Sequence, residues 1–135
     1  MPLAATAINS SLYSRAASHA DGAAVRALVG SVFDASDLGN LAGRVLPYLV
    51  WRDRGVAGAS YEMRDVLGAW FIYVAPGSGP RRLTAIADAL EALYGTTPLV
   101  IARGRLGVTY RGAVFRDEAL TLDGMEVRIG YRLLG

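Results

Sequence analysis

The sequence contains no cysteine and no lysine, and its single histidine is His19. Without cysteine the chain has no disulfides and no thiolate metal ligands. One histidine without a nearby acid and nucleophile does not make a catalytic triad, so we interpret His19 as a surface residue at a helix end. No apolar run reaches the ~20 residues of a membrane-spanning helix. A basic leader followed by an apolar core is also absent at the N-terminus, so we expect no signal peptide.

The composition indicates a folded chain with a weak net charge. Hydrophobic residues make up 53% of the 135 positions, and only 19% are charged. These hydrophobic residues are enough to fill the core of one domain, which we expect to span residues 1–135. All 14 basic residues are arginine, which reflects either coding bias or a use of bidentate contacts at interfaces. A net charge of +2 does not by itself indicate nucleic-acid binding.

The strongest local pattern is a strand that leads into a helix. Residues Val66–Val74 are β-branched and aromatic, as a buried strand requires. After a Pro/Gly-rich break, Arg81–Tyr94 has the periodicity of an amphipathic helix, with Pro80 in its first turn and Gly95 at C′. The predicted apolar stripe consists of Leu83, Ile86, Ala87, Leu90 and Leu93.

Weaker patterns predict the remaining elements. Before the central strand they are a helix over Ala5–Ala20, a short helical turn over Ala23–Val29 with Asp21 as N-cap, an extended piece at Val32 and Phe33, and a strand that starts after Pro47. After the central helix they are a basic turn over Arg103–Arg105, a strand over Gly107–Phe115, a turn at Asp123–Gly124 and a final strand over Met125–Leu133. Together they predict an α+β fold, a mostly antiparallel sheet of four to five strands with two to three helices packed on one face.

The final strand alternates between apolar and polar residues. Met125, Val127 and Ile129 share one face, and Glu126 and Arg128 share the other. We therefore expect one buried face and one face that is wet or lies at an interface.

No stretch of the sequence has the residues that catalysis or metal binding requires. The loop over residues 75–80 lacks both the GxxxxGK[ST] and the GxGxxG pattern, so we interpret it as a plain strand-to-helix connection. The acidic pairs Asp34/Asp37 and Asp117/Glu118 do not resemble a calcium loop. We predict no catalytic residue, no metal site and no cofactor, and a protein that is not an enzyme.

Nucleic-acid binding is a weaker alternative. Trp51 and Tyr110 are interleaved with arginines, a combination that can follow a nucleic-acid backbone, but acidic residues interrupt the run and no known binding motif is present. The arginines in question are Arg52, Arg54, Arg81, Arg82, Arg103, Arg105 and Arg111.

The order of short apolar motifs identifies a family resemblance. An N-terminal helix is followed by residues 21–30, and Leu46–Trp51 looks like an "LPYVVY"-type strand. The strand over 70–74 then runs into the helix, and an alternating strand closes the chain. This order resembles the tail terminator, or tail completion, proteins of long-tailed bacteriophages and gene transfer agents. The resemblance covers roughly residues 8–134, but residues 103–123 do not align with the family pattern.

The resemblance implies a structural role in a virion. Such proteins form a hexameric ring that caps the tail tube at its head-proximal end, ends tube polymerisation and joins the tail to the neck. The implied partners are other copies of the chain, the tail tube protein and a neck or connector protein, and DNA passes through the ring without sequence-specific binding. The implied location is the virion tail, assembled in the host cytoplasm. The alternatives are a head–tail adaptor or neck ring protein and, from another class, a small ligand-binding domain or enzyme.

Charged residues at strand ends are the candidate subunit interface. Charged residues can determine which surfaces of two subunits bind each other. A ring needs two different surfaces on each subunit, which meet head to tail. The candidate interface residues are Arg52, Asp53, Arg54, Glu62, Arg64 and Asp65.

We predict that charge reversal at this interface weakens the ring and leaves the subunit folded. Arg54→Glu or Arg64→Glu should lower the oligomer mass measured by light scattering at a given concentration, with an unchanged circular dichroism spectrum. An oligomer that survives both reversals would count against the assignment.

Overall fold

The computed structural model describes residues 12–34, 45–53, 66–95, 104–118 and 121–133, with side chains described at 12–34, 45–52, 68–95, 107–118 and 121–130. Within these residues the chain forms a six-stranded mixed sheet with helices, an α+β fold. The strands are β1 (Ser31–Asp34), β2 (Tyr48–Asp53), β3 (Val66–Val74), β4 (Gly104–Arg111), β5 (Phe115–Asp117) and β6 (Leu122–Leu133). The helical elements are α1 (residues 12–17), a 3-10 turn (Ala20–Gly22), α2 (Ala23–Arg26) and α3 (Pro80–Gly95).

The sheet is antiparallel except at one edge. Its order is β1-β2-β3-β6-β4, and β1 pairs with β2 in parallel. The strand β5 pairs with the start of β6, and β4 pairs with the rest of that strand. The two therefore follow one another along the same side of β6. The predicted mostly antiparallel sheet is confirmed, with one strand more than expected, because the predicted strand Gly107–Phe115 is interrupted at residues 112–114.

The strand-to-helix unit is confirmed almost to the residue. The strand β3 has the predicted bounds, and α3 starts at Pro80 and includes Gly95 as its last residue, one position beyond the predicted end. All the predicted stripe residues of α3 are buried, because the 3.6-residue repeat aligns them toward the sheet. The strand β2 starts at Tyr48, directly after Pro47, as predicted.

A buried hydrogen-bonded chain joins the sheet to two helices. The indole Nε1 of Trp70 on β3 donates to the Tyr94 hydroxyl on α3 over 2.9 Å. That hydroxyl donates in turn to the Leu12 carbonyl on α1. All three residues are fully buried. Burial raises the pKa of Tyr94 well above its usual range, so the hydroxyl keeps the proton that it donates.

The two tryptophans fill the centre of the core between the sheet and the helices. The ring centroids of Trp51 and Trp70 lie 5.1 Å apart in a tilted arrangement. Gly68, on β3, makes room for the Trp51 indole, because a Cβ at this position would lie 2.3 Å from the Trp51 Cζ2 atom. A glycine inside the central strand is therefore a packing requirement.

The N-terminal helical region differs from the prediction in its boundaries. The helix predicted through Ala20 ends at residue 17. His19 is extended and its Nδ1 accepts the Asp21 N–H over 3.0 Å, so His19 rather than Asp21 is the capping residue, and it caps the 3-10 turn. The helix α2 then ends at Arg26, short of the predicted Val29. The start of the predicted helix, at residues 5–11, lies outside the described residues.

Two predicted turns belong to strands. Gly104 and Arg105 lie in β4, opposite the end of β6, instead of forming a basic turn. Gly124 lies inside β6, where a Cβ would sit 2.7 Å from the Phe115 ring of β5, so it is a packing glycine. The chain reverses between the antiparallel strands β5 and β6, and Thr121, just before β6, adopts a φ of 54°.

We predict that removing the Tyr94 hydroxyl destabilises the protein. Tyr94→Phe leaves the buried Trp70 N–H without its acceptor, so the free energy of unfolding should fall by about 1–3 kcal/mol. Denaturant unfolding followed by fluorescence measures this loss.

The control is Tyr110→Phe, because Tyr110 is 43% exposed and lies outside this chain of hydrogen bonds. Its effect should stay within about 0.5 kcal/mol. Equal losses for the two variants would contradict the role of the buried chain.

Candidate functional site

Two of the six predicted interface residues lie within the described residues. Arg52 and Asp53 are the last two residues of β2, and Asp53 pairs with Gly68 of β3. The charged residues are thus at a strand end, as predicted. Arg54, Glu62, Arg64 and Asp65 lie outside the described residues, so their part in an interface stays a prediction.

Arg52 lies on the sheet face opposite the helices. Successive register partners place Arg52 beside Ala69, Ala69 beside Arg128, and Arg128 beside Tyr110. These four residues form one line across four strands, which we call the arginine row. Within the described part of the chain, no helix packs on this face. Its buried residues all come from strands, and they are Phe33, Val50, Ala69, Tyr73 and Leu122.

Both arginines of the row are stacked on aromatic rings. The Arg52 guanidinium carbon lies 5.4 Å from the Phe71 ring centroid, and that of Arg128 lies 4.3 Å from the Tyr110 centroid. A guanidinium on a ring face gains cation–π energy and keeps its in-plane N–H donors available to a carboxylate. The row therefore holds two arginines in defined positions.

The two arginines of the row differ in their ion pairs. The Arg128 Nε lies 3.0 Å from the Glu126 Oε2 atom, which neutralises that arginine locally. Arg52 makes no ion pair with any described carboxylate. Asp117 pairs in register with Leu122 and so lies on this face too, which makes the described face neutral as a whole, but Arg52 itself has no ion pair with a described carboxylate.

An apolar patch lies beside the arginine row. The Tyr73 ring meets Phe115 edge-on at 6.1 Å, and the Phe33 and Tyr48 rings are 5.8 Å apart. Burial raises the pKa of Tyr73, Asp117 raises it further, and Arg52 acts in the opposite direction. The positive charge of Arg52 thus acts on the Tyr73 hydroxyl within the apolar patch.

The exposed side of α3 carries the opposite charge. Arg111 of β4 contacts the Asp88 Oδ1 over 2.8 Å and also pairs with Glu91. Burial alone would lower the pKa of Arg111, but hydrogen bonds and charges from the two carboxylates raise it. Because two carboxylates share one guanidinium, this cluster, which we call the acidic cluster, keeps one unmatched negative charge.

Within the described residues, the other sequence candidates do not assemble into a site. His19 is exposed at the end of the first helix, as predicted. The loop after β3 connects strand to helix, and its Gly77 N–H donates to the Asp123 carboxylate over 3.3 Å, a contact that disfavours an anionic ligand there. Among the described residues, no three metal-ligating side chains come together.

The described arginines and aromatics do not form a track for nucleic acid. The Trp51 ring is 1% exposed and cannot stack on a base. Arg111 is engaged by carboxylates, and the Tyr110 ring is covered by Arg128. Arg81 and Arg82 are exposed at the start of α3. Separately, none of the described helices has the length and apolar character needed to cross a membrane.

A groove runs along β1 at the sheet edge. Its lining includes Arg26, Ser31 and Val32, together with Ala17, Val29 and Gly30. The Arg26 guanidinium donates to the Ala16 carbonyl over 2.8 Å, so it closes the end of α1. The lining contains no acid, base and nucleophile in combination, which catalysis would need.

The alternation in β6 predicted part of this site, since it placed Glu126 and Arg128 on a wet or interface face. It did not reveal that Arg52 lies in the same row, or that Tyr110 supports Arg128. Only the register across three strand pairs brings these residues together.

The comparison with solved structures found a similar chain in the virion of a native gene transfer agent particle. The two chains are 25% identical, the match covers 92% of each, and the TM-score is 0.53. No protein-family model and no curated protein matches the chain.

We predict that the acidic cluster contributes little to stability. Asp88 and Glu91 are 64% and 52% exposed, so Arg111→Met should lower the free energy of unfolding by no more than about 1 kcal/mol. Raising the salt concentration should shrink this difference, because exposed charges are screened. Thermal unfolding at low and high salt measures it, with Arg111→Lys as the variant that keeps the charge. A loss above about 3 kcal/mol would show that the cluster is structural.

Proposed function

We propose that the protein is a structural protein of a phage-like virion, and that it acts as a tail terminator. The similarity to a chain of a gene transfer agent virion carries this proposal, because the match extends over 92% of both chains. The order of short motifs that resembles tail terminator proteins supports the finer assignment. In this proposal the whole chain, residues 1–135, acts as one domain.

The described surface suits assembly better than catalysis. It offers an arginine row on one side and an acidic cluster on the exposed side of a helix, and its described residues bring together no catalytic or metal-binding set. Unlike charged surfaces on one chain favour a heterologous contact, which closes into a ring when its rotation allows.

Passage of DNA through the protein also requires a ring of copies, because of the size of the chain. A compact chain of this length has a radius of gyration of ~14 Å, too small to enclose duplex DNA by itself. We propose that several copies, six by resemblance to the family, surround the DNA and cap the head-proximal end of the tail tube. The ring then ends tube growth and presents a surface to the neck.

The test is tube capping by the purified protein. We expect an oligomer of discrete mass across a concentration series, and tail tubes that stop elongating when the protein is added and carry it at one end in electron micrographs. Binding to neck or portal rings instead of tube ends would favour a head–tail adaptor. A monomer that binds neither component would contradict a virion role, and ligand screening would then follow.

A further inference from the structure

We propose that Arg52 of one copy binds the Asp88 and Glu91 carboxylates of the next copy, so that the arginine row of each subunit docks on the exposed side of its neighbour's α3. This inference rests on the proposed function in one respect, namely that the chain self-associates. Beyond self-association, the inference names the two surfaces that meet between copies.

The described sheet edges are poor sites for self-association by strand pairing. The edge strand β1 has only four residues. On the other edge, the register of β4 shifts between Val108 and Tyr110, and the strand pattern stops before β5 begins. Bulges and interruptions of this kind prevent edge-to-edge pairing. Contact between copies is therefore expected through side chains on the faces.

Arg52 and the acidic cluster are complementary in charge. On the sheet face Arg128 is matched by Glu126, and Arg52 has no described carboxylate partner. On the exposed side of α3, two carboxylates share the single guanidinium of Arg111. Bringing Arg52 of a second copy to these carboxylates gives two arginines and two carboxylates, a neutral cluster with charge-assisted hydrogen bonds.

Both partners are held in place before they meet. The Arg52 guanidinium stacks on Phe71, and Asp88 and Glu91 project one turn apart from a 16-residue helix while bound to Arg111. Because these side chains are already held, they lose little conformational entropy when two copies associate, and the entropic cost of association is lower. Arginine suits this position because its planar fork can contact two carboxylate oxygens at once.

The two surfaces cannot meet within one subunit. The buried stripe of α3 packs on the helix-covered face of the sheet, and Asp88 and Glu91 point away from that stripe into solvent. Arg52 lies on the opposite face of the same sheet. The contact must therefore join two copies through unlike surfaces, which is the heterologous geometry of a ring.

The experiment is a charge swap read by oligomer mass. Arg52→Glu and Asp88→Arg, made separately, each place like charges across the contact, so each should raise the dissociation constant of the oligomer at least about tenfold at low salt. The double variant restores opposite charges and should return the constant to within about threefold of the unmodified protein. Sedimentation velocity across a concentration series measures these constants, and circular dichroism melting confirms that each variant is folded.

The matched control is Arg82→Glu, which makes the same change in net charge as Arg52→Glu at an exposed arginine outside the acidic cluster, about 120° around α3 from Asp88. It should leave the dissociation constant unchanged. The proposed contact is overturned if the unmodified protein forms an oligomer that neither single variant weakens, if the double variant fails to recover, or if Arg82→Glu weakens association equally.

These outcomes are distinct from failure of the proposed function. If the unmodified protein stays monomeric both in solution and on tail tubes and does not cap them, the virion role is contradicted and the contact with it. If it caps tubes as a ring that the charge swap does not affect, only the contact is overturned.

Discussion

The Tyr94 hydroxyl is the group on which the arrangement of layers depends. It accepts the Trp70 N–H from the central strand and donates to the Leu12 carbonyl of α1, so it joins the sheet to two helices inside the core. A buried polar group is stable only when its hydrogen bonds are made, and this requirement is met because α1 and α3 pack on the same side of the sheet. The opposite side then receives no helix among the described residues, and it carries the arginine row.

This two-sided arrangement also separates the charges. Arg111 faces the helices and holds Asp88 and Glu91, whereas Arg52 and Arg128 lie on the other face of the sheet. Each of these arginines uses the flat guanidinium, either to contact two carboxylates or to stack on a ring, and an ammonium group would serve neither purpose as well. For these three positions, the use of arginine as the only basic residue has a structural reason beyond coding bias. Two unlike charged surfaces are what a head-to-tail assembly of copies needs, in keeping with the similarity to a virion chain.

Specific contacts explain the elements that depart from the prediction. Asp123–Gly124 has the composition of a turn, yet both residues lie in β6 because β3 and β5 pair with them on either side, and the Phe115 ring leaves no room for a Cβ at Gly124. Gly104 and Arg105 look like a basic turn, yet the end of β6 pairs with them. Asp21 does not cap α2, because the Asp21 N–H donates to the His19 ring in the 3-10 turn that precedes it and the N-cap of α2 is Gly22. In each case a contact with another part of the chain, or a local side-chain bond, outweighs propensity.

The sequence by itself determined the class of fold, the strand Val66–Val74, the helix that follows it and the wet face of β6, because periodicities of two and 3.6 residues are local properties. Tertiary structure alone decided that Arg52, Ala69 and Arg128 are neighbours, and that Tyr94 reaches both Trp70 and Leu12. These contacts bring together residues that are far apart in the sequence, and they depend on strand register and helix packing. A register shift of one residue would expose the buried face of a strand, so the hydrophobic alternation excludes it, but a shift of two residues keeps that face buried and changes every cross-strand neighbour. The alternation within one strand does not distinguish registers that differ by two residues.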